Sequence, residues 1–320
     1  MLKLAEEKDL TKGSSIRALK LPAKVIIPLI QHLGKPVQAV VKPGDLVKTG
    51  QLIGALEDKS IYSPVHSSLS GKVVAIDELA HPGLGRARAV VIGSDGLDQK
   101  IDFKAHPQAV IEQLPPHDIR KLIFDAGVVG MGGAGFPTHI KLTPPKPVDS
   151  FILNGAECEP YLTCDERLMI EKTREIVLGI GLALKCLGVK QAYIAIEDNK
   201  PEAIKAFEKA GRTTGYEIRI LKSGYPQGGE RQLIKAVLGR EVAPGKYPFD
   251  VGAVVNNAAT VYAMYEAVYL GKPLYERVIT ISGDCLENPG NYLARIGASI
   301  QDLINECGPL KKEPERIVFG

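Results

Sequence analysis

The sequence predicts a multidomain α/β protein in three parts, and three observations carry that expectation. Residues 20–95 alternate apolar and polar positions around turn motifs, as half-buried strands do. Residues 148–270 repeat apolar strand-like runs and amphipathic helical stretches in succession, the pattern of a parallel sheet with crossover helices. Residues 276–310 then change to strand, turn, strand and helix, a small β-grasp pattern. The expected domain bounds are 1–100, 101–272 and 273–320.

Composition narrows the function classes. The 320 residues are 45% hydrophobic and 24% charged, ordinary for a soluble globular protein. A formal net charge of +3, with the lysines scattered, argues against a nucleic-acid partner. No apolar run reaches the ~20 residues of a membrane helix, and "MLKLAEEKDL" does not read as a signal peptide. The five cysteines, at 158, 164, 186, 285 and 307, form no C-x-x-C pair and suit a reducing compartment.

In the first part, "VQAVVKPGDLVKTGQLIGAL" and "SPVHSSLSGKVVAI" place strands around "PGD" and "KTG" turns. This pattern resembles the barrel-sandwich hybrid domains that carry lipoate or biotin. Lys59 in "EDKS", with Gly71 beyond it, stands near the position of their swinging-arm lysine. The hairpin motif is blunter here, so a purely structural domain with an unmodified Lys59 is expected. Short helices are expected near 107–113 and 117–126. In the central part "VDSFILN", "QAYIAIED", "YEIRILK" and "DVGAVVNN" read as strands. One long helix is expected over 166–187, ending at Gly188, with further helices over 201–211, 228–238 and 258–270.

"GVVGMGGAGFPTHIKL", residues 127–142, contains G-x-G-x-x-G at Gly130, Gly132 and Gly135. A dinucleotide fingerprint needs a strand before the glycines and a sizeable helix after them. Here a helical pattern precedes the run, and Pro137, Pro144 and Pro145 leave room for about one turn of helix behind it. The run is expected instead to offer backbone N–H groups to a flat or phosphorylated ligand. Phe136 is placed to stack on a ring and Lys141 to meet a phosphate.

Three more loops fall at strand ends, where α/β sheets bind ligands. Asn154, Glu157, Glu159 and Asp165 crowd "NGAECEPYLTCDERLM", Gly228 and Glu230 open a helix in "SGYPQGGERQL", and Asn256, Asn257 and Thr260 follow a strand in "VVNNAATVYA". Paired amides suit the donor and acceptor edge of a flavin or the hydroxyls of its ribityl chain. The acidic cluster also allows a metal reading, but no histidine accompanies it.

"GMGGAGFPTHIK", "NGAECEPYLTCDERLM", "YPQGGERQLIKAVLG" and "VVNNAATVYA" together resemble the RnfC family of the Rnf (Rsx) electron-transport complex and, more distantly, the flavoprotein subunit of respiratory complex I. The resemblance covers nearly the whole chain. It implies an N-terminal barrel-sandwich hybrid domain, a Rossmann-like FMN/NADH-binding domain and an SLBB-type β-grasp domain. By resemblance, Gly130, Gly132, Gly133, Ala134 and Gly135 cradle FMN, Phe136 packs on the nicotinamide nucleotide, and Lys141 lies near phosphate. Asn154, Glu157, Glu159, Asp165, Gly228, Glu230, Asn256, Asn257 and Thr260 complete the expected contacts.

The implied role is a peripheral, NADH-linked oxidoreductase subunit of an ion-translocating ferredoxin:NAD+ oxidoreductase on the cytoplasmic face of the bacterial inner membrane. Its implied partners are NAD(H), the other membrane and iron–sulfur subunits, and ferredoxin indirectly. The chain departs from the complex I pattern at Met131, where an arginine is expected, at Ala156, where an aspartate is, and at Gly229, where an acid is. These departures keep a second role open, a docking subunit with an empty nucleotide fold. Members of the RnfC family also carry two [4Fe-4S] motifs, for which this chain has no closely spaced cysteines. A shortened form or fragment is therefore expected, with no metal ligands of its own.

Overall fold

The computed structural model describes residues 2, 4–58, 60–211 and 214–319. Lys59 lies outside the described residues. The N-terminal strands are β1 (Ile16–Ala18), β2 (Lys24–Pro28), β3 (Gln38–Ala39), β4 (Leu46–Val47), β5 (Leu52–Ala55), β6 (Val65–His66), β7 (Gly71–His81) and β8 (Gly85–Ser94). Those after β1 build two small sheets, ordered β2-β8-β7-β4 and β3-β5-β6. Alternation sets the inward face: Val25 and Ile27 of β2 are fully buried and pack with Leu29, Ile53, Leu69, Val90 and Ile92. This is the expected barrel-sandwich layout.

The central unit follows as α1 (Gln108–Gln113), α2 (Pro116–Asp125), α3 (Thr138–Lys141), β9 (Ser150–Gly155), α4 (Cys164–Glu171), α5 (Thr173–Leu187), β10 (Gln191–Glu197), α6 (Pro201–Gly211), β11 (Glu217–Leu221), α7 (Glu230–Leu238), β12 (Ala253–Asn257) and α8 (Ala258–Tyr269). All four strands are parallel, in the order β11-β10-β9-β12. Phe151, Ile152 and Leu153 of β9 are wholly buried, because helices cover both faces. Phe151 and Leu153 pack with α2, α5, α6 and α8, whereas Ile152 packs with Leu233, Ile234 and Val237 of α7. The crossover thus changes sides between β9 and β12, which places the topological switch point at their carboxyl ends.

The expected single helix over 166–187 is two helices. Lys172, at φ −125° and ψ 28°, ends α4 and starts α5. Thr173 explains the break: its hydroxyl donates to the Met169 carbonyl at 2.6 Å, competing with the helical ladder. Gly188 closes α5 in the left-handed conformation, as its position implied.

The C-terminal unit holds β13 (Glu276–Ile281), β14 (Gly290–Arg295) and α9 (Ile300–Glu306), whose first turn Ser299 caps. β13 and β14 pair antiparallel, and β1 adds to β14 in parallel. The N-terminus therefore crosses the molecule before the barrel begins. On the way Thr11 meets Thr163, and Asn291 donates to the Thr11 and Ser14 carbonyls. Among the described residues no helix is long and apolar enough to cross a membrane.

Candidate functional site

The glycine run is a closed turn lying over the β12–α8 junction. Val129 and Pro137 bridge antiparallel, and the Gly130 N–H donates to the Phe136 carbonyl at 2.9 Å. Helix α2 precedes the turn and the four-residue α3 follows it, so the Rossmann reading of these glycines fails on its flanks. Three contacts seat the turn. The Met131 N–H donates to Thr260 Oγ1 at 2.9 Å. Gly132 rests on Asn257, and an added Cβ would stand 2.8 Å from the Asn257 Cβ. Gly135, at φ +66°, lies against the barrel domain, where the Leu33 N–H donates to its carbonyl at 3.1 Å. Gly133 and Ala134 face outward, and a Cβ at Gly133 would meet nothing within 4 Å.

Asn257 works in two directions. Its Oδ1 accepts the Ala259 and Thr260 N–H groups and caps α8, while its Nδ2 donates to Asp165 at 2.6 Å. The Asp165 N–H in turn donates to Glu157 Oε1 at 2.8 Å, so Glu157 caps α4 from the loop after β9. Burial, then repulsion from Glu157, push the Asp165 carboxyl up to about 6 against the pull of that Asn257 hydrogen bond. Asn154 ties the β9 loop to the glycines before α7: its Nδ2 donates to the Gly228 carbonyl at 2.9 Å. Ala156 is buried beneath Gly228, whose added Cβ would stand 3.1 Å from the Ala156 carbonyl.

The structure thus joins the glycine turn, Asn257, Thr260, Asp165 and Glu157 in one connected set. Asn154 and Gly228 form a second contact beside it. Lys141 closes on Glu230 at 2.6 Å instead of standing alone. Phe136 is half-buried, and Glu159 is exposed beside Tyr225. Asn256 is buried, with its Nδ2 3.7 Å from Met264 Sδ and its Oδ1 without a partner among the described residues.

Three contributors are not evident from the sequence. Arg277 of β13 donates to the Met131 carbonyl at 3.2 Å, and Lys8 and Lys200 reach Glu157 from the N-terminal segment and the turn before α6. Nothing local marks a lysine in "EDNKPE" as buried. An open cleft of about 430 Å³ between Leu10–Arg17 and Glu287–Pro289 contains none of the candidate residues.

Comparison with known proteins fits this geometry. Residues 2–97 match the RnfC barrel sandwich hybrid domain, residues 123–266 the Nuo51 FMN-binding domain, and residues 278–317 the SLBB domain. The chain is 46% identical over 98% of its length to a subunit of the proton-translocating ferredoxin:NAD+ oxidoreductase complex of Clostridium ljungdahlii, covering 69% of that protein. It belongs to the RnfC family of ion-translocating oxidoreductase complexes. Within that family it is 45% identical over 94% of its length to the RnfC-type protein of the Na+-translocating complex of Acetobacterium woodii, covering 68% of that protein. It is 39% identical over 98% of its length to the corresponding protein of Rhodobacter capsulatus, covering 61% of it. An NAD+-reducing [NiFe]-hydrogenase structure aligns with 67% of the chain and 45% of its own at a TM-score of 0.52 and 25% identity. This RnfC chain therefore carries an FMN-binding type of domain between its barrel-sandwich and β-grasp domains.

Proposed function

We propose that this chain binds FMN and NAD(H) at the carboxyl ends of β9 and β12, and works as the NAD(H)-side subunit of a membrane ferredoxin:NAD+ oxidoreductase. The observation that carries the assignment is the glycine turn held over the switch point by Thr260 and Asn257, within a domain of the FMN-binding type. The donor set fits such a ligand. Asn256 Oδ1 is a buried acceptor without a hydrogen-bond partner among the described residues, and Gly133 leaves open space above the turn. FMN, when bound, would exchange one hydride with NAD(H) and single electrons with the iron–sulfur side.

This chain's residues position the ligands, with no side chain required as acid or base. Gly130, Gly132, Gly133, Ala134 and Gly135 give a flat ring access to the main chain. Phe136 and Glu159 serve the nucleotide side. Lys141 exchanges Glu230 for a phosphate, and Asn154, Asn256 and Asn257 supply amides. Electrons pass from here to [4Fe-4S] clusters of the complex, with ferredoxin the distant partner, on the cytoplasmic face of the membrane. Titrating the purified chain with FMN and reading flavin fluorescence tests this directly. Saturable quenching at one site per chain is expected, and none is expected under the docking-subunit alternative.

A further inference from the structure

Beneath the candidate site lies a cluster of charged side chains that hydride transfer itself does not use. Lys200 has no exposed surface, and its Nζ lies 3.6 Å from Glu157, 3.7 Å from Glu166 and 3.9 Å from Glu197. Lys8 enters from the N-terminal strap. It donates to the Glu157 and Leu162 carbonyls at 2.6 Å each and stands 4.0 Å from Glu157 Oε2. Burying charges in this way is expensive, and apolar residues of similar volume often serve stability as well. Neither Lys200 Nζ nor Glu157 Oε2 has a hydrogen-bond partner among the described residues. The lysines act on the Glu157 carboxylate through their field, while Lys8 also holds the Glu157 main chain by a hydrogen bond.

The strap is held at several points. Leu2 bridges Tyr225, the Tyr161 N–H donates to the Glu6 carbonyl at 2.9 Å, and Asn199 donates to the Glu6 side chain at 2.8 Å. Glu7 and Tyr161 on either side of this contact hold left-handed φ values of 49° and 68°. Non-glycine residues keep that conformation only where surrounding contacts impose it.

We propose that Lys8 and Lys200 are positioning residues of the flavin site, holding the Glu157 carboxylate against the α4 N-terminus and so setting how well the site accepts the added negative charge of reduced flavin. Three contacts link Glu157 to the glycine turn: the Asp165 N–H donates to Glu157, Asn257 donates to the Asp165 carboxylate, and Gly132 rests on Asn257. The groups that set the local charge are Glu157 after β9, Asp165, Glu166 and Arg167 of α4, Glu197 of β10, Lys200 before α6, Lys8 and Glu6 of the strap, and Arg277 of β13. Burial pushes Glu166 and Glu197 upward, and Lys200 opposes it in both. Burial also weighs against the Lys200 ammonium, but the surrounding carboxylates outweigh it and raise its pKa. Without Lys200 these carboxylates are left with Lys8 as their buried cation, and Glu166 or Glu197, already pushed upward by burial, takes up a proton as pH falls.

The test is the midpoint potential of bound FMN from about pH 6 to pH 9 in the wild-type chain, Lys8→Met and Lys200→Met, an inference that rests on FMN occupying this site. Each substitution is expected to shift the reduced-to-oxidised ratio about tenfold toward oxidised flavin at high pH, about 30 mV for the two-electron couple. The difference should shrink toward pH 6 as a carboxylate protonates. Should Lys200→Met fail to fold, Lys8→Met decides, because the strap keeps its other anchors. A folded Lys8→Met chain that holds FMN with wild-type potential and wild-type pH profile overturns the proposal. Wild-type chain that takes up no FMN overturns the flavin assignment and this proposal together.

Discussion

Asn257 and Asp165 are joined at 2.6 Å across the gap between the N-termini of α8 and α4, so one amide caps the first helix and binds a carboxylate of the second. Asn257→Ala removes both functions. The lost cap alone is worth about 1 kcal/mol, and the unpaired Asp165 adds to it. Asn257→Ser restores a cap without the donor. Urea denaturation should rank wild type above Asn257→Ser, and Asn257→Ser above Asn257→Ala. Equal stability of the two variants would mean that the Asp165 contact alone matters.

Asp165 makes stability depend on pH. Its carboxyl titrates at about 6 in the fold against an ordinary 3.8. A raised folded pKa contributes stability that is fully present below the unfolded value and is lost as pH rises through the folded one. That contribution should therefore disappear between about pH 4 and pH 6. Asp165→Asn, which cannot ionise, should gain on wild type across that window. Denaturation midpoints at about pH 4.5 and pH 7.5 check this, and an equal gap at both would contradict it.

The turn glycines should divide by what lies beside them. Gly132→Ala drives a Cβ to 2.8 Å from the Asn257 side chain and should lower both stability and FMN affinity. Gly133→Val meets open space and should leave the unliganded fold unchanged, while its bulk blocks a ring from the main chain. Thermal melts beside FMN titrations separate the two effects. Wild-type FMN affinity in Gly133→Val would make the turn a structural feature only.

Lys141→Ala removes a half-exposed ion pair with Glu230, worth about 1 kcal/mol or less to folding. A charge-assisted phosphate contact is worth ~1.5–3 kcal/mol, so affinity for FMN or NADH should fall tenfold or more. Unchanged dissociation constants would remove Lys141 from the site.

Much of this architecture was legible in the sequence because local pattern and tertiary role agree. The buried run of β9, the αL glycine at 188 and the proline-bounded α3 each follow from adjacent residues. The misses have long-range or competitive causes. Thr173 splits the long helix through a side-chain hydrogen bond that apolar periodicity does not record. β1 joins β14 from the far end of the chain with only three residues of pattern. Among the candidate residues, the acidic and amide side chains stand out in the local sequence. Lys200 did not, since its burial depends on carboxylates from two other segments.

Under the proposed function, reduction of bound flavin by NADH is the step that needs only the two stacked rings. The direct measurement mixes FMN-loaded chain with NADH without oxygen and follows the flavin absorbance in a stopped-flow instrument. Rapid, stoichiometric bleaching is predicted for wild type, slowed in Gly132→Ala at equal FMN occupancy. Bound FMN that NADH leaves oxidised would contradict the account and favour a docking role for the chain.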